Sequence, residues 1–117
     1  MREVADFLEA KARADEFVYY GDLAAKFGLP PMSGNFSAHP FHKMFDDFDR
    51  QDHAGGRPFR TALVISKEKN MPGDGFFKTL AELRGIDIPK ADVGRMTVWI
   101  TEIGKLRHYY SKKPDGA

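Results

Sequence analysis

Phe41, Met44, Phe45 and Phe48 stand at i, i+3, i+4 and i+7, and this spacing limits what the chain can become more than any other feature. Only an α-helix brings those positions onto one stripe, and a stripe of three Phe and a Met has to be covered by other elements. Pro40 suits the first turn of that helix, where its missing N–H would have no partner anyway. Ser37 is placed to cap the helix, and Gly55-Gly56 ends it. With 117 residues and ten Phe, the chain has the size and apolar area for a single domain, expected over residues 1–110.

Shorter signals fill in the remainder. Val4, Phe7 and Leu8 predict an amphipathic helix over residues 2–14. Phe17 to Tyr20 is short and β-branched or aromatic, as a strand requires. Asp22 reads as the cap of a helix that buries Leu23, Ala24 and Phe27; Gly28 stops it and Pro30-Pro31 keeps it from resuming. Residues 30–38, "PPMSGNFSA", are turn formers throughout. Phe59 to Ser66, "FRTALVIS", reads as a buried central strand. Lys67 to Gly75 is a loop, from which Asp74 caps a helix carrying Phe76, Phe77, Leu80 and Leu83 up to Gly85. After a connector from Ile86 to Pro89, Met96, Trp99, Ile100, Ile103, Leu106 and Tyr110 form the stripe of a last helix, Val93 to Tyr110. Residues 111–117 read as a frayed basic tail. The expected fold is α+β and helix-dominated: a winged-helix-like core, a small two- or three-stranded sheet built on a hairpin, and an extra C-terminal helix.

Composition narrows the functions. Cysteine is absent, which removes disulfides, zinc–thiolate sites and thiol nucleophiles together and suits a cytoplasmic setting. Glu3, Asp6 and Glu9 break up the first apolar positions, so no signal peptide is read there. No apolar run nears the roughly 20 residues that span a bilayer, and no membrane partner is expected. A formal charge of +1 provides no global field, so nucleic acid would have to be held by local patches.

Tyr20-Gly21-Asp22-Leu23-Ala24, within "VYYGDLAAKFGLP", is similar to the "TYGDLA" opening of the winged-helix half of the alkylguanine-DNA alkyltransferases and the alkyltransferase-like proteins. The likeness covers residues 15–85. It implies a DNA-associated winged helix in which a strand and a short helix precede a recognition helix. A buried strand (here Arg57 to Ile65), a Gly-rich loop and a closing helix ("MPGDGFFKTLAELRG") come next. It does not imply alkyl transfer. The family's reactive Pro-Cys-His-Arg is replaced here by Ile65-Ser66-Lys67-Glu68. Alkyltransferase-like proteins lack the cysteine but keep the Pro and His-Arg, and this chain has neither. In place of a recognition helix with an Arg among small residues, it carries Phe41, Phe45 and Phe48, with Asp46, Asp47, Asp49 and Asp52 facing Lys43 and Arg50. Such a helix is a poor phosphate partner.

Candidate sites are few. His39 and His42 lie three apart with Asp46 beyond, a spacing that suits either a metal pair or solvated positions beside the Phe stripe. No convincing third ligand accompanies them, so neither metal nor cofactor is expected. Arg57, Arg60, Lys67 and Lys69 cluster around the second strand; Lys105, Arg107, Lys112 and Lys113 interleave with Tyr109 and Tyr110 at the end. These eight are the candidate nucleic-acid contacts. The turn "NMPGDGFF" before a helix is a candidate anion site or a plain connection. The leading reading is a small non-enzymatic module that binds nucleic acid weakly and without regard to sequence. The alternative is a protein-binding immunity, inhibitor or phage-accessory domain using the acidic helix around residues 41–52. A nuclease or transferase built on His39, His42 and Lys43 comes third.

Overall fold

A computed structural model describes residues 2–31 and 38–111. Its elements are α1 (Arg2–Ala14), β1 (Val18–Tyr19), α2 (Tyr20–Lys26), α3 (Pro40–Ala54), a 3₁₀ turn (Arg60–Leu63), β2 (Val64–Ile65), α4 (Asp74–Arg84) and α5 (Asp92–Tyr110). The chain is helix-dominated with a small sheet, and its helices and strands come in the expected order. The Phe stripe of α3 is buried, with Phe41 and Phe45 stacked at 4.7 Å. Val4 and Leu8 of α1, Leu23 and Ala24 of α2, and Val64 cover it. Tyr20 packs against Phe45 at 6.1 Å. A second cluster joins Phe59 and Leu63 to Phe77 and Leu80 of α4 and to Trp99 and Leu106 of α5. Burying each such side chain contributes about 1.5–3 kcal/mol. No described helix is long and apolar enough to cross a membrane.

Several local expectations are corrected. Helix α2 starts at Tyr20 with Tyr19 in the cap position and no side-chain cap, so Asp22 lies in the first turn, favoured by the helix dipole but capping nothing. Asp74 is likewise the first residue of α4 after Gly73, and its carboxylate goes to Arg95. The cap of α3 is His39, whose Nδ1 accepts the Phe41 N–H at 3.0 Å; Ser37 lies outside the described residues, as does the expected tail beyond Ser111. The strands pair in parallel, Val18 with Val64 and Tyr19 with Ile65, so they do not form a hairpin. On α5 the buried line is Trp99, Ile103, Leu106 and Tyr110; Met96 and Ile100 lie off it and are exposed. At the end of α4, Gly85 takes φ 64°, a left-handed cap that an L side chain would resist.

The largest correction falls on "FRTALVIS", where only Val64 and Ile65 are strand and Arg60 to Leu63 coil into the 3₁₀ turn. The turn packs against α1, α3 and α5, and side chains take the place of strand neighbours around it. The Phe59 N–H donates to Glu102 Oε2 at 2.7 Å, and the Arg60 N–H donates to Asp52 Oδ2 at 3.0 Å. Thr61 Oγ donates to Asp49 Oδ1 at 2.6 Å, and Trp99 Nε1 donates to the Ala62 carbonyl at 2.8 Å. The three acceptor carboxylates are 2 % (Glu102), 0 % (Asp52) and 2 % (Asp49) exposed. Asp49 and Asp52 therefore point inward, and the acidic surface expected on α3 loses two of its members.

Two of these acids have close counter-charges. Asp52 meets Arg57 at 3.0 Å and Arg60 at 3.0 Å, and Arg84 grips Glu102 with two bonds of 2.7 and 2.8 Å. Removing the central carboxylate leaves two guanidinium groups and one buried N–H without their acceptor. Asp52→Ala should therefore lower stability by about 3–5 kcal/mol, read as a fall in the urea midpoint at constant m.

Candidate functional site

Among the described residues, the six candidate basic side chains do not gather into one stripe. Arg60 is buried, held by Asp52, and its guanidinium lies 5.9 Å from the Phe48 ring. It belongs to the core network, and the stretch expected to be strand around it is a 3₁₀ turn. Arg57 is half-buried and anchored to Asp52 and to the Gln51 carbonyl at 3.1 Å. Lys67 is exposed, 5.4 Å from the Tyr19 ring, and Lys69 meets Asp92 at 3.4 Å. Arg107 pairs with Asp15 at 2.8 Å. Lys105 is exposed and has no carboxylate partner among the described residues. Lys112 and Lys113 lie outside the described residues. Since Lys69 meets the first residue of α5 and Lys105 sits near its end, about 20 Å of helix separates them at ~1.5 Å per residue.

Two of the eight do come together. Arg57 and Lys105 line a groove of about 720 Å³ with His53, His108 and Tyr109, and no carboxylate is among its described lining. A second groove, of about 600 Å³, extends from the same Arg57 and Tyr109 towards Arg13 of α1, with Glu9 and Asp6 on its wall. Tyr109 is 43 % exposed and stands edge-on to Tyr110 at 4.8 Å. The Arg13 guanidinium sits 5.4 Å from the Tyr110 ring. Burial, helped by the Asp52 charge, pushes the Tyr110 phenol up to about 12, so it stays neutral. Asp52 faces both Arg57 and Arg60, so this corner keeps an excess positive charge. An exposed aromatic between cationic side chains can take a stacked ring and an adjoining phosphate.

A third, more enclosed cavity opens on the far side of the α3 acids. It measures about 590 Å³ and is lined by Tyr20, Phe45, Phe76 and Asp49, with Asp46 and Glu82 among its polar members. Arg50 bridges those two carboxylates at 2.9 and 2.8 Å. Tyr20 Oη accepts the Gly73 N–H at 3.1 Å, and burial pushes its phenol up to about 12. That bond takes one amide of the "NMPGDGFF" turn, and Asp74 on the same wall adds negative charge, so the anion reading of this turn loses a donor. Burial, above all, raises the Asp49 carboxyl well above the usual range. The Thr61 hydroxyl opposes that shift, and the nearby Asp52, Asp46 and Glu102 charges add to it.

The histidines part company. His39 is buried and uses both ring nitrogens: Nδ1 accepts from Phe41, and Nε2 donates to the Pro30 carbonyl at 2.7 Å. His42 is exposed and reaches the rim of the enclosed cavity. Among the described residues, no three ligating side chains are grouped as a metal needs. The residues missed in the sequence are Asp49, Asp52 and Glu102. A signal was present: Asp52 continues the Phe41–Phe45–Phe48 line at i+4, and Glu102 sits between Trp99 and Leu106 on the buried line of α5.

A pH prediction follows for Asp49. Its carboxyl binds a proton more tightly in the folded chain than in the unfolded one, so the native state holds more protons between the two values. Its contribution to stability is thus fullest below about pH 4 and is lost as pH rises towards the raised folded value. Asp49→Asn, which keeps an acceptor for Thr61, should flatten this part of the profile and raise stability at neutral pH. Urea melts of both chains from pH 4 to 8 measure the difference. No protein-family model, no curated protein and no solved structure matches this chain.

Proposed function

We propose that the chain is a small non-enzymatic module that binds nucleic acid weakly and without regard to sequence, through the groove around Tyr109. One observation carries this reading: the exposed Tyr109 ring lies where two grooves meet, with Arg57 in both and His53, Lys105 and His108 along the one whose described lining holds no carboxylate. Single strands suit it better than duplex, because a stacked base needs an unpaired face. Of the arginines that line the two grooves, Arg57 and Arg60 are paired with Asp52, Arg13 with Glu9 and Arg84 with Glu102, which leaves them poorly placed to read base edges. The winged-helix-like character of the core, and with it the alkyltransferase resemblance, enters through the order of elements alone. The parallel strands offer no hairpin wing, and the cysteine-free chain supplies none of that family's chemistry. A cytoplasmic setting belongs to the same proposal. The protein-binding alternative on α3 has less support, since Asp49 and Asp52 face inward and Asp47 and Asp46 are engaged by Lys43 and Arg50.

Fluorescence anisotropy of a labelled oligothymidine tests the proposal. With about three phosphates engaged, log affinity should fall against log salt with a slope near ~−2. Tyr109→Ala should weaken binding by about five- to a hundredfold, and Lys105→Glu should weaken it while flattening the slope. Changing Lys67 and Lys69 together to Glu, at the other end of α5, should leave affinity nearly unchanged. Absence of binding at low salt, or equal binding by Tyr109→Ala, contradicts the reading.

A further inference from the structure

The enclosed cavity over Asp49 plays no part in the nucleic-acid reading, and its chemistry suits a different guest. Its volume of about 590 Å³ falls in the roughly 300–1,000 Å³ range of small-molecule sites. Tyr20, Phe45 and Phe76 give it flat apolar walls. Asp49 lines it although only 2 % exposed. The Thr61 hydroxyl is the one side-chain donor to its carboxylate among the described residues, on Oδ1. Leaving an ionised carboxylate so placed is unfavourable unless something compensates it. Asp52 and Glu102 have arginines for that purpose; Asp49 has none within hydrogen-bonding reach.

The rim decides the sign of the guest. Asp46 and Glu82 share the single Arg50, and Asp74 is held by Arg95. Lys78 is the other cation of the wall. On the wall itself Asp46, Asp74 and Glu82 outnumber Arg50 and Lys78 before Asp49 is counted, which disfavours phosphate or carboxylate guests.

We propose that this cavity binds a flat amidine or amino-heterocycle of cationic character, its ring covered by Tyr20, Phe45 and Phe76 and its N–H groups donated to Asp49. The guest supplies the positive charge and the donors that the fold withholds from this one acid. Burial favours the protonated form of Asp49, and an entering cation favours the ionised one.

Benzamidine, a planar cation with paired N–H donors, is the probe. Isothermal titration of the full chain should detect binding, with benzamide, its neutral counterpart, at least about tenfold weaker. Titrations in two buffers of different ionisation enthalpy should show net proton release on benzamidine binding. Asp49→Asn should bind benzamidine at least about tenfold more weakly while its circular dichroism and melting remain those of a folded chain. The proposal fails if benzamidine does not bind, if benzamide binds equally well, or if Asp49→Asn binds undiminished. Should Asn at this position unfold the chain, the wild-type proton count decides, and binding without proton release overturns the proposal.

Discussion

Three consecutive residues, Phe59, Arg60 and Thr61, each give a hydrogen bond to a different buried carboxylate, and the arrangement of the helices depends on that constraint. The acceptors come from two helices: Asp49 and Asp52 from α3, and Glu102 from α5. A 3₁₀ turn in the interior has N–H groups that no sheet can satisfy, and an unpaired buried N–H costs about 1–3 kcal/mol. Carboxylates inside the core solve that problem and create another, because each must itself be compensated. Arg57, Arg60 and Arg84 answer for Asp52 and Glu102, and in doing so tie the start of the turn and the end of α4 into the same network.

The imbalance left over has a definite place. Among the described residues Asp52 has two arginines, Glu102 has one, and Asp49 has only a hydroxyl. Excess positive charge therefore collects near Arg57, beside the exposed Tyr109, and Asp49 is left without a counter-charge. These are the two places where the surface opens into a basic groove and an aromatic-walled cavity. One internal network thus sets up opposite electrostatics on its two sides, which is why an anionic polymer and a flat cation are the guests proposed for them.

What the sequence made legible was local. The Phe41, Phe45 and Phe48 periodicity lies within one helix, and it marked α3 without reference to anything else. Glycine stops were equally readable, since Gly85 needs only its own φ. "FRTALVIS" misled because an apolar run becomes strand or turn according to where its N–H groups find acceptors. Those acceptors lie up to 43 residues away, at Glu102. The His39 cap was hidden for a similar reason: imidazole is not an ordinary cap, and here its second nitrogen is fixed by the distant Pro30 carbonyl. At the grooves, the types of residue were foreseen and their grouping was not. Arg57 and Lys105 meet because the 3₁₀ turn that follows Arg57 packs against both α3 and α5, whereas Arg60 had been counted as surface and is held in the core.

Native-state hydrogen exchange of the Phe59 and Arg60 amides tests the central claim most directly. If the turn is held by Glu102 and Asp52 as the geometry indicates, both amides should exchange only through global unfolding. Their protection should then equal that of the slowest amides of α3 and α5. Exchange at the rate of an exposed loop, with α3 and α5 still protected, would mean that the carboxylates do not secure the turn, and would contradict the account.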